Sequence, residues 1–294
     1  MSTTKRQALV IGASRGLGLG LVDELNRRGW SVTATTRGVA KDTAAHAAHW
    51  LTLDINQPES IKAFLPQVQG QVFDLIFVNA GISGPEHQSA VDAKPEEILG
   101  LFQTNAISPI RIAQHLLAQR NPKHSVLAFM SSQLGSLGHN ASGHKPLYSA
   151  SKAALNMMTR NLVAEVADPS LTVLSIHPGW VKTDMGGDAA PLTIATSVRG
   201  LSTKLSALPA RAVTALLIIK GIHCRGDLYP SYFKLHVRWL HSLLGPSMGL
   251  ASARPLQTAF KSTPGRFVTR ITYLSKLIGI YSIAAFQQLE LFRV

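Results

Sequence analysis

The chain predicts an α/β fold in which a parallel sheet is covered by helices on both faces. Two observations carry that expectation. Short apolar runs alternate with helical stretches along most of the chain, and the first run ends in a cluster of glycines that opens a helix. Parallel strands need long crossover connections, and helices supply them, so both faces of such a sheet become buried.

The elements follow in order. Gln7 to Ile11 is a first strand, and Leu17, Leu21, Val22 and Leu25 recur at helical spacing up to Gly29, which gives strand, turn and helix. Trp30 to Thr35, His49 to Leu53 and Phe73 to Val78 read as the second, third and fourth strands, with helices at Glu59 to Leu65 and Glu96 to Leu117. Val126 to Met130 is a fifth strand, Leu147 to Val166 a long helix, Thr172 to Ile176 a sixth strand and Thr193 to Leu205 a further helix. No internal repeat is present.

The 294 residues hold one α/β domain of about 200 to 250 residues with a full core, and leave a surplus. Hydrophobic residues make up 46% of the chain, so its amino-terminal part reads as globular rather than disordered. One cysteine, Cys224, excludes an internal disulfide. Met1 to Arg6 runs into the first strand without the apolar core of a signal peptide, so a cytoplasmic location is expected. Ile271 to Phe286 is short and carries Lys276, whereas a membrane span needs roughly 20 apolar residues; no span is expected. The net charge of +13 is uneven. Residues 1–191 hold 16 Lys and Arg against 14 Asp and Glu, and residues 192–294 hold 13 against 2. The basicity belongs to the tail, and no specific nucleic-acid partner is expected, a basic nucleic-acid or membrane-surface arm being the weaker reading of that tail. No cluster of His, Cys or carboxylates suggests a metal.

The glycine cluster is Gly12-Ala13-Ser14-Arg15-Gly16-Leu17-Gly18. Glycines there let backbone approach a pyrophosphate at a helix amino terminus, where free N–H groups and the helix dipole favour negative charge. Its spacing, Gly-x3-Gly-x-Gly, gains meaning from following a strand. An NAD site needs an acidic residue at the end of the second strand; here Thr35 and Thr36 lead instead to Arg37. Arg37 and Arg15 suit a 2′-phosphate, which favours NADP (NADPH) over NAD. Asp54 and Ile55 after the third strand face an adenine in this reading, and Asn79-Ala80-Gly81 after the fourth leaves small side chains where a ribose passes. Pro178, Gly179, Val181 and Thr183 follow the sixth strand, where the Val181 N–H and the Thr183 hydroxyl can hold a nicotinamide carboxamide.

Tyr148 and Lys152 are four residues apart and so share a helix face, with Ser132 upstream. An isolated Tyr-x3-Lys pair is ordinary; these companions make it chemistry. An ammonium about 4 Å from the phenol at an effective dielectric near 20 is worth roughly 4 kcal/mol, enough to lower it by about three pH units before burial opposes it. Tyr148 then serves as acid or base toward a carbonyl or alcohol, Ser132 holds the reacting oxygen, and Lys152, with Tyr148 beside it, also holds the nicotinamide ribose of the cofactor. Asn105 lies mid-helix, where asparagine is unfavourable, which suggests a backbone or water contact linking Lys152 to solvent. His177 before Pro178 reads as a packed strand-end histidine.

These residues, in this order and spacing, resemble the classical short-chain dehydrogenase/reductase family from about residue 6 to 208. Met130 to Ser136, Ser151 to Asn156 and His177 to Gly187 look like its C-factor and sniffer-type carbonyl reductase branch. The resemblance implies a Rossmann-type doubly wound sheet in the order 3-2-1-4-5-6 with a seventh strand, a Ser-Tyr-Lys-Asn tetrad formed by Ser132, Tyr148, Lys152 and Asn105, and pairing into a homodimer through helices near 96–117 and 148–166. The chain departs from the pattern at Ile11, where the family usually has a hydroxyl residue that braces the glycine turn.

The tail departs further. Members of this branch end soon after the helix matching Thr193 to Leu205, whereas this chain continues through 209–294. Codons permitted for Val213 to Asp227 can be read one base out of frame as Asp-Gly-Ala-Phe-Asn-Tyr-Lys-Gly-Asn-Ser-Leu-Pro-Trp-stop, an ending of the family's kind. A frame disruption near Pro209 to Val213 is therefore expected, with residues 1–208 as the NADP-binding domain, 209–294 as an atypical basic tail and the seventh strand lost. The functional expectation is an NADP(H)-dependent oxidoreductase acting on a small-molecule carbonyl or alcohol. The alternative is a non-catalytic, cofactor-sensing or cell-signalling protein on the same fold.

Overall fold

The computed structural model describes residues 5–38, 48–138, 140 and 142–206, together with the backbone of 214–218. All described residues belong to one compact unit of the chain. Its strands are β1 (Gln7–Ile11), β2 (Ser31–Thr36), β3 (His49–Thr52), β4 (Leu75–Val78), β5 (Ser125–Met130), β6 (Leu171–His177) and β7 (Thr214–Ile218). The helices are α1 (Gly16–Arg27), α2 (Pro58–Val68), α3 (Pro95–Phe102), α4 (Ser108–His115), α5 (Pro146–Val166) and α6 (Ile194–Ser206).

Every strand pairing is parallel, and the order is β3-β2-β1-β4-β5-β6-β7. Alternation along each strand feeds two cores. Leu9, Ile11, Ile76, Val78, Leu127, Phe129 and Val173 pack with Phe64 of α2, Ile112 of α4 and Leu155 and Leu162 of α5. Ala8, Val10, Leu75, Phe77, Ala128, Leu174 and Ile176 pack on the other face with Leu21 and Leu25 of α1 and Leu201 and Leu205 of α6. Each fully buried Leu, Ile or Phe contributes about 1.5–3 kcal/mol, so the two layers fix the sheet between them. Glu24 of α1 pairs with Arg27 and Arg28, and Arg28 in turn donates to Arg199 O and Thr203 Oγ1, which fastens α1 to α6.

Two expectations are corrected. The stretch 96–117 is not one helix: a π-helical turn over Gln103–Ile107 separates α3 from α4. Pro109 has no N–H for the carbonyl of Asn105 four residues back, and the Ser108 N–H bonds Gln103 O instead, so the ladder slips by one residue. The seventh strand, expected to be lost, is present. Thr-Ala-Leu-Leu-Ile at 214–218 has the composition of a buried parallel strand and pairs with β6 from Val173↔Thr214 to His177↔Ile218. The edge of β6 is thus covered, on the far side of the boundary expected at 208.

Chain order reverses between β1 and β4, which opens a crevice at their carboxyl ends. The glycine turn, Asn79–Gly81, Ser132 and the segment after His177 all leave strands at that same edge.

Candidate active site

The glycine turn is shaped by close backbone approach. Gly12 has φ 81°, and a Cβ there would stand 2.9 Å from the Ala80 backbone. A Cβ on Gly18 would stand 2.4 Å from Gly12 O and 2.7 Å from Asn79 Nδ2. Asn79 Nδ2 donates to Gly12 O at 2.7 Å, which ties the end of β4 to the turn. Thr35 braces it from the other side: its Oγ1 accepts from Gly12 N–H at 3.1 Å and its carbonyl from Ala13 N–H at 2.8 Å. Sequence reasoning noted only that Thr35 is not acidic; with Ile11 buried in the core, the bracing hydroxyl comes from β2.

Arg15 is the N-cap residue of α1, with no side-chain cap and no acidic residue in the first turn. The helix therefore presents its amino-terminal N–H groups and dipole unopposed, together with a backbone cradle that side chains would fill, and these features fit a dinucleotide pyrophosphate. Arg15 itself pairs with Asp184, both largely exposed. Arg37 is exposed just beyond β2. Asp54 Oδ1 accepts from Asn56 N–H at 2.9 Å, and its own N–H bonds Ser60 Oγ, so the carboxylate also shapes the turn into α2, beside the buried Ile55.

The segment after β6 folds against this turn. Gly179 has φ 87°, Pro178 O accepts from the buried Ser197 hydroxyl at 2.7 Å, and the Thr183 methyl lies 3.8 Å from where a Gly16 Cβ would be. The Thr183 hydroxyl accepts from Gly186 N–H and donates to Val181 O, so it is engaged within its own loop. Trp180 Nε1 donates to Gly186 O at 2.8 Å.

Ser132, Tyr148, Lys152 and Asn105 come together one strand further along. Lys152 is 2% exposed, and its Nζ donates to Met130 O at 2.8 Å and lies 5.7 Å from the centroid of the Tyr148 ring. Ser132 Oγ accepts from Leu134 N–H and lies beside the Tyr148 phenol, close enough to favour its ionised form. A Cβ on Gly81 would stand 3.3 Å from both Lys152 Nζ and Asn105 Oδ1, so that glycine keeps the ammonium and the amide close to backbone. Asn105, fully buried in the π-helical turn, accepts from Ile82 N–H and donates to Ile82 O and Ser151 Oγ. Its side chain is thus spent on protein groups. Asn156, one turn beyond Lys152, accepts from the Ser131 hydroxyl and donates to Gly135 O, bracketing Ser132.

The sense of the Tyr148 titration is opposite to expectation. Burial pushes the phenol up to about 12, opposed in part by the Ser132 hydroxyl beside it, and burial brings Lys152 down to about 8. The ammonium lies under the ring and is directed to Met130 O, so desolvation outweighs attraction. His177 is brought down to about 4 by burial and has no hydrogen-bond partner at Nδ1, in keeping with a packed strand-end histidine. Among the described residues no helix is long and apolar enough to cross a membrane, and no group of His, Cys, Asp and Glu is arranged to hold a metal.

Known proteins share this arrangement. The family pattern described as short chain dehydrogenase matches residues 6–191. An uncharacterized oxidoreductase of Schizosaccharomyces pombe is 32% identical over 234 residues, 74% of this chain and 90% of that protein. A short-chain dehydrogenase/reductase of Burkholderia multivorans, solved with bound NADP, is 36% identical and superimposes with a TM-score of 0.70 over 74% of this chain and 98% of that one. The carbonyl reductase Sniffer of D. melanogaster is 30% identical, with a TM-score of 0.66 over 72% of this chain and 97% of that one. With a Rossmann-type sheet, a glycine turn at its switch point and this likeness along the sequence, the chain belongs to the short-chain dehydrogenase family of oxidoreductases, and its relatives include carbonyl reductases.

Proposed function

We propose that the protein is an NADP(H)-dependent reductase that interconverts a small-molecule carbonyl and its alcohol. The observation that carries this reading is the cluster of Ser132, Tyr148 and Lys152, with the ammonium beneath the phenol ring, set beside a glycine cradle and an uncapped helix amino terminus. NADPH, when bound, supplies the hydride. Gly12, Ser14, Gly16, Leu17 and Gly18 offer backbone to its pyrophosphate, Arg15 and Arg37 charge to its 2′-phosphate, Asp54 and Ile55 the adenine edge, Asn79, Ala80 and Gly81 room for the ribose, and Pro178, Gly179, Val181 and Thr183 the nicotinamide side.

Tyr148 donates the proton to the carbonyl oxygen as that oxygen gains negative charge. A phenol held near 12 stays protonated at neutral pH, and that is the form a reduction consumes. Ser132 orients the oxygen through its hydroxyl, which lies on the phenol's side of the cleft. Lys152 supplies positive charge at the base of the cleft and restores the proton. Asn105 holds the Ile82 backbone and the Ser151 hydroxyl in place around it.

Binding of NADPH and NADH, followed by quenching of tryptophan fluorescence, together with NADPH consumption across a panel of aldehydes and ketones, tests the reading. Tight NADPH binding with turnover of at least one carbonyl is expected. Binding without turnover of any would leave the cofactor-sensing alternative in its place. A homodimer paired through the helices near 96–117 and 148–166, and a cytoplasmic location, belong to the same proposal.

The frame-disrupted origin of 209–294 is a second part of it. Its support is that nearly the full length of the two solved neighbours named above, 97–98%, is matched by 72–74% of this chain. Sequencing the gene decides: codons that cannot spell the Phe-Asn-Tyr-Lys-Gly-Asn-Ser-Leu-Pro-Trp ending remove the idea.

A further inference from the structure

The first turn of α5 carries Tyr148, yet the helix lacks a cap of its own. Its N-cap residue, Lys145, has φ 49°, contributes no side-chain hydrogen bond, and is followed by Pro146. A helix amino terminus leaves backbone N–H groups without partners inside the helix, and Tyr148 N–H is one of them. Its partner comes from sixty residues upstream. Gln88 Oε1 accepts from Tyr148 N–H at 2.9 Å, while Gln88 Nε2 donates to Ser83 O at 2.9 Å and to Pro85 O at 2.6 Å.

Gln88 itself is unusual. It is 8% exposed and has φ 52°, in the left-handed region that a residue with a Cβ adopts only under strain. Gly84, with φ 77°, packs beneath it: a Cβ there would lie 3.4 Å from Gln88 Nε2. A strained backbone with a buried amide, all three of whose hydrogen bonds go to main-chain atoms, is held in place by those bonds. The same loop begins at Ile82, whose N–H and C=O are both clasped by Asn105. One loop therefore meets the π-helical turn at one end and the first turn of α5 at the other.

We propose that Gln88 is a positioning residue for proton transfer: its side chain caps α5 and sets where the Tyr148 phenol stands relative to Ser132. The inference rests on Tyr148 being the proton donor. Only an amide of this length both accepts from Tyr148 N–H and donates to two carbonyls. Asparagine is one methylene short, glutamate brings no donor when ionised, and methionine keeps the bulk with neither function.

The first test needs no substrate. Hydrogen exchange in the full chain is expected to show the Tyr148 amide protected to a degree comparable with Ser149, whose N–H bonds Lys145 O; exchange at the rate of an open amide overturns the proposal. The second compares Gln88→Met, Gln88→Glu and Tyr148→Phe in NADPH consumption with 4-nitrobenzaldehyde, or whichever carbonyl of the panel is turned over fastest. Gln88→Met is expected to lower kcat about tenfold while the NADPH Kd stays within about twofold and KM within about threefold. Gln88→Glu, which keeps the acceptor for Tyr148 N–H, should recover part of that loss. An unchanged kcat, or a loss shared equally by kcat and NADPH binding, overturns the positioning role. If Tyr148→Phe remains active, the proton-donor reading itself has failed, and the exchange result still reports on the cap.

Discussion

Around Gly12 the site is shaped by side chains that are missing, whereas around Tyr148 it is shaped by polar side chains that are buried. At the glycine turn, backbone approaches within 2.4 to 2.9 Å of where a Cβ would be, and the charged residues beside it, Arg15 and Arg37, lie in solvent. In the neighbouring cleft Lys152, Asn105, Ser132 and Ser151 are all buried, and each spends its hydrogen bonds on backbone or on another member of the group. The first arrangement makes room for a ligand at little cost to stability. The second holds charge out of water at a cost the rest of the fold must offset.

The comparison breaks most sharply at Tyr148. Replacing it by phenylalanine keeps the ring and the packing and removes only the hydroxyl and its proton. Loss of a positioned general acid typically costs about 10²–10⁴ in rate, so kcat is expected to fall by that much while NADPH binding changes less than about twofold. Single-turnover rates of NADPH oxidation beside a fluorescence titration check both halves. A variant that loses binding and rate together would show that the Tyr148 hydroxyl serves mainly to hold the cofactor.

Lys152 sharpens the same contrast through stability. Its pKa is near 8 in the folded protein against 10.5 in an unfolded chain, because burial disfavours the ammonium. Between those values the unfolded chain binds the additional proton, so this residue makes the fold more stable as pH rises from about 8 to 10.5 and carries its full penalty below 8. The window corresponds to about 3 kcal/mol at most. Lys152→Met is therefore expected to abolish most turnover and yet leave the protein at least as stable at pH 7. The gain is reduced by about 1–2 kcal/mol because Met130 O loses its donor. Denaturant melts at pH 7 and pH 10 measure this, and a variant clearly less stable at pH 7 would show that the ammonium is well solvated or well paired.

At the glycine turn the expected effect is smaller and falls on binding. A methyl group on Gly18 meets Gly12 O and Asn79 Nδ2 inside van der Waals distance, and overpacking of this kind costs about 1–3 kcal/mol. Gly18→Ala should weaken NADPH by roughly 10- to 100-fold and leave the chemical step of the bound enzyme near its original rate. Titration of the variant with NADPH, followed by turnover at saturation, separates the two.

What could be read from the sequence divides along the same line. Glycines, the Tyr148–Lys152 spacing and the alternating strands are local patterns, and β1 coincides with its expected range, Gln7–Ile11. Contacts that depend on depth or on distant backbone were not legible. Nothing near Gln88 announces that its amide reaches Tyr148 N–H, and Thr35 was judged only for the charge it lacks. The phenol was expected to be lowered by Lys152 because spacing gives proximity and says nothing of burial or of Met130 O as a competing acceptor. Two misses had a signal in plain view. Pro109 removes the N–H that a continuous helix over 96–117 needs, and Thr214–Ile218 has strand composition whatever ending its relatives use.

Arg37 offers the smallest effect and the finest test. Its guanidinium is exposed just beyond the end of β2, two residues past the Thr35 carbonyl that bonds the glycine turn. No carboxylate stands at Thr35 or Thr36 to bind a ribose hydroxyl. A charge-assisted bond to a 2′-phosphate is worth about 1.5–3 kcal/mol, and exposure places this one at the lower end. Arg37→Ala is therefore expected to weaken NADPH about tenfold, to leave NADH unchanged and to leave the melting temperature where it was. Arg15 is already paired with Asp184, so Asp184→Asn should release it and tighten NADPH by a few-fold at low salt. If Arg37→Ala weakens both cofactors equally, the phosphate is held elsewhere and discrimination rests on Arg15; if neither arginine matters, the preference for NADPH comes from the turn's backbone and not from the charges that border it.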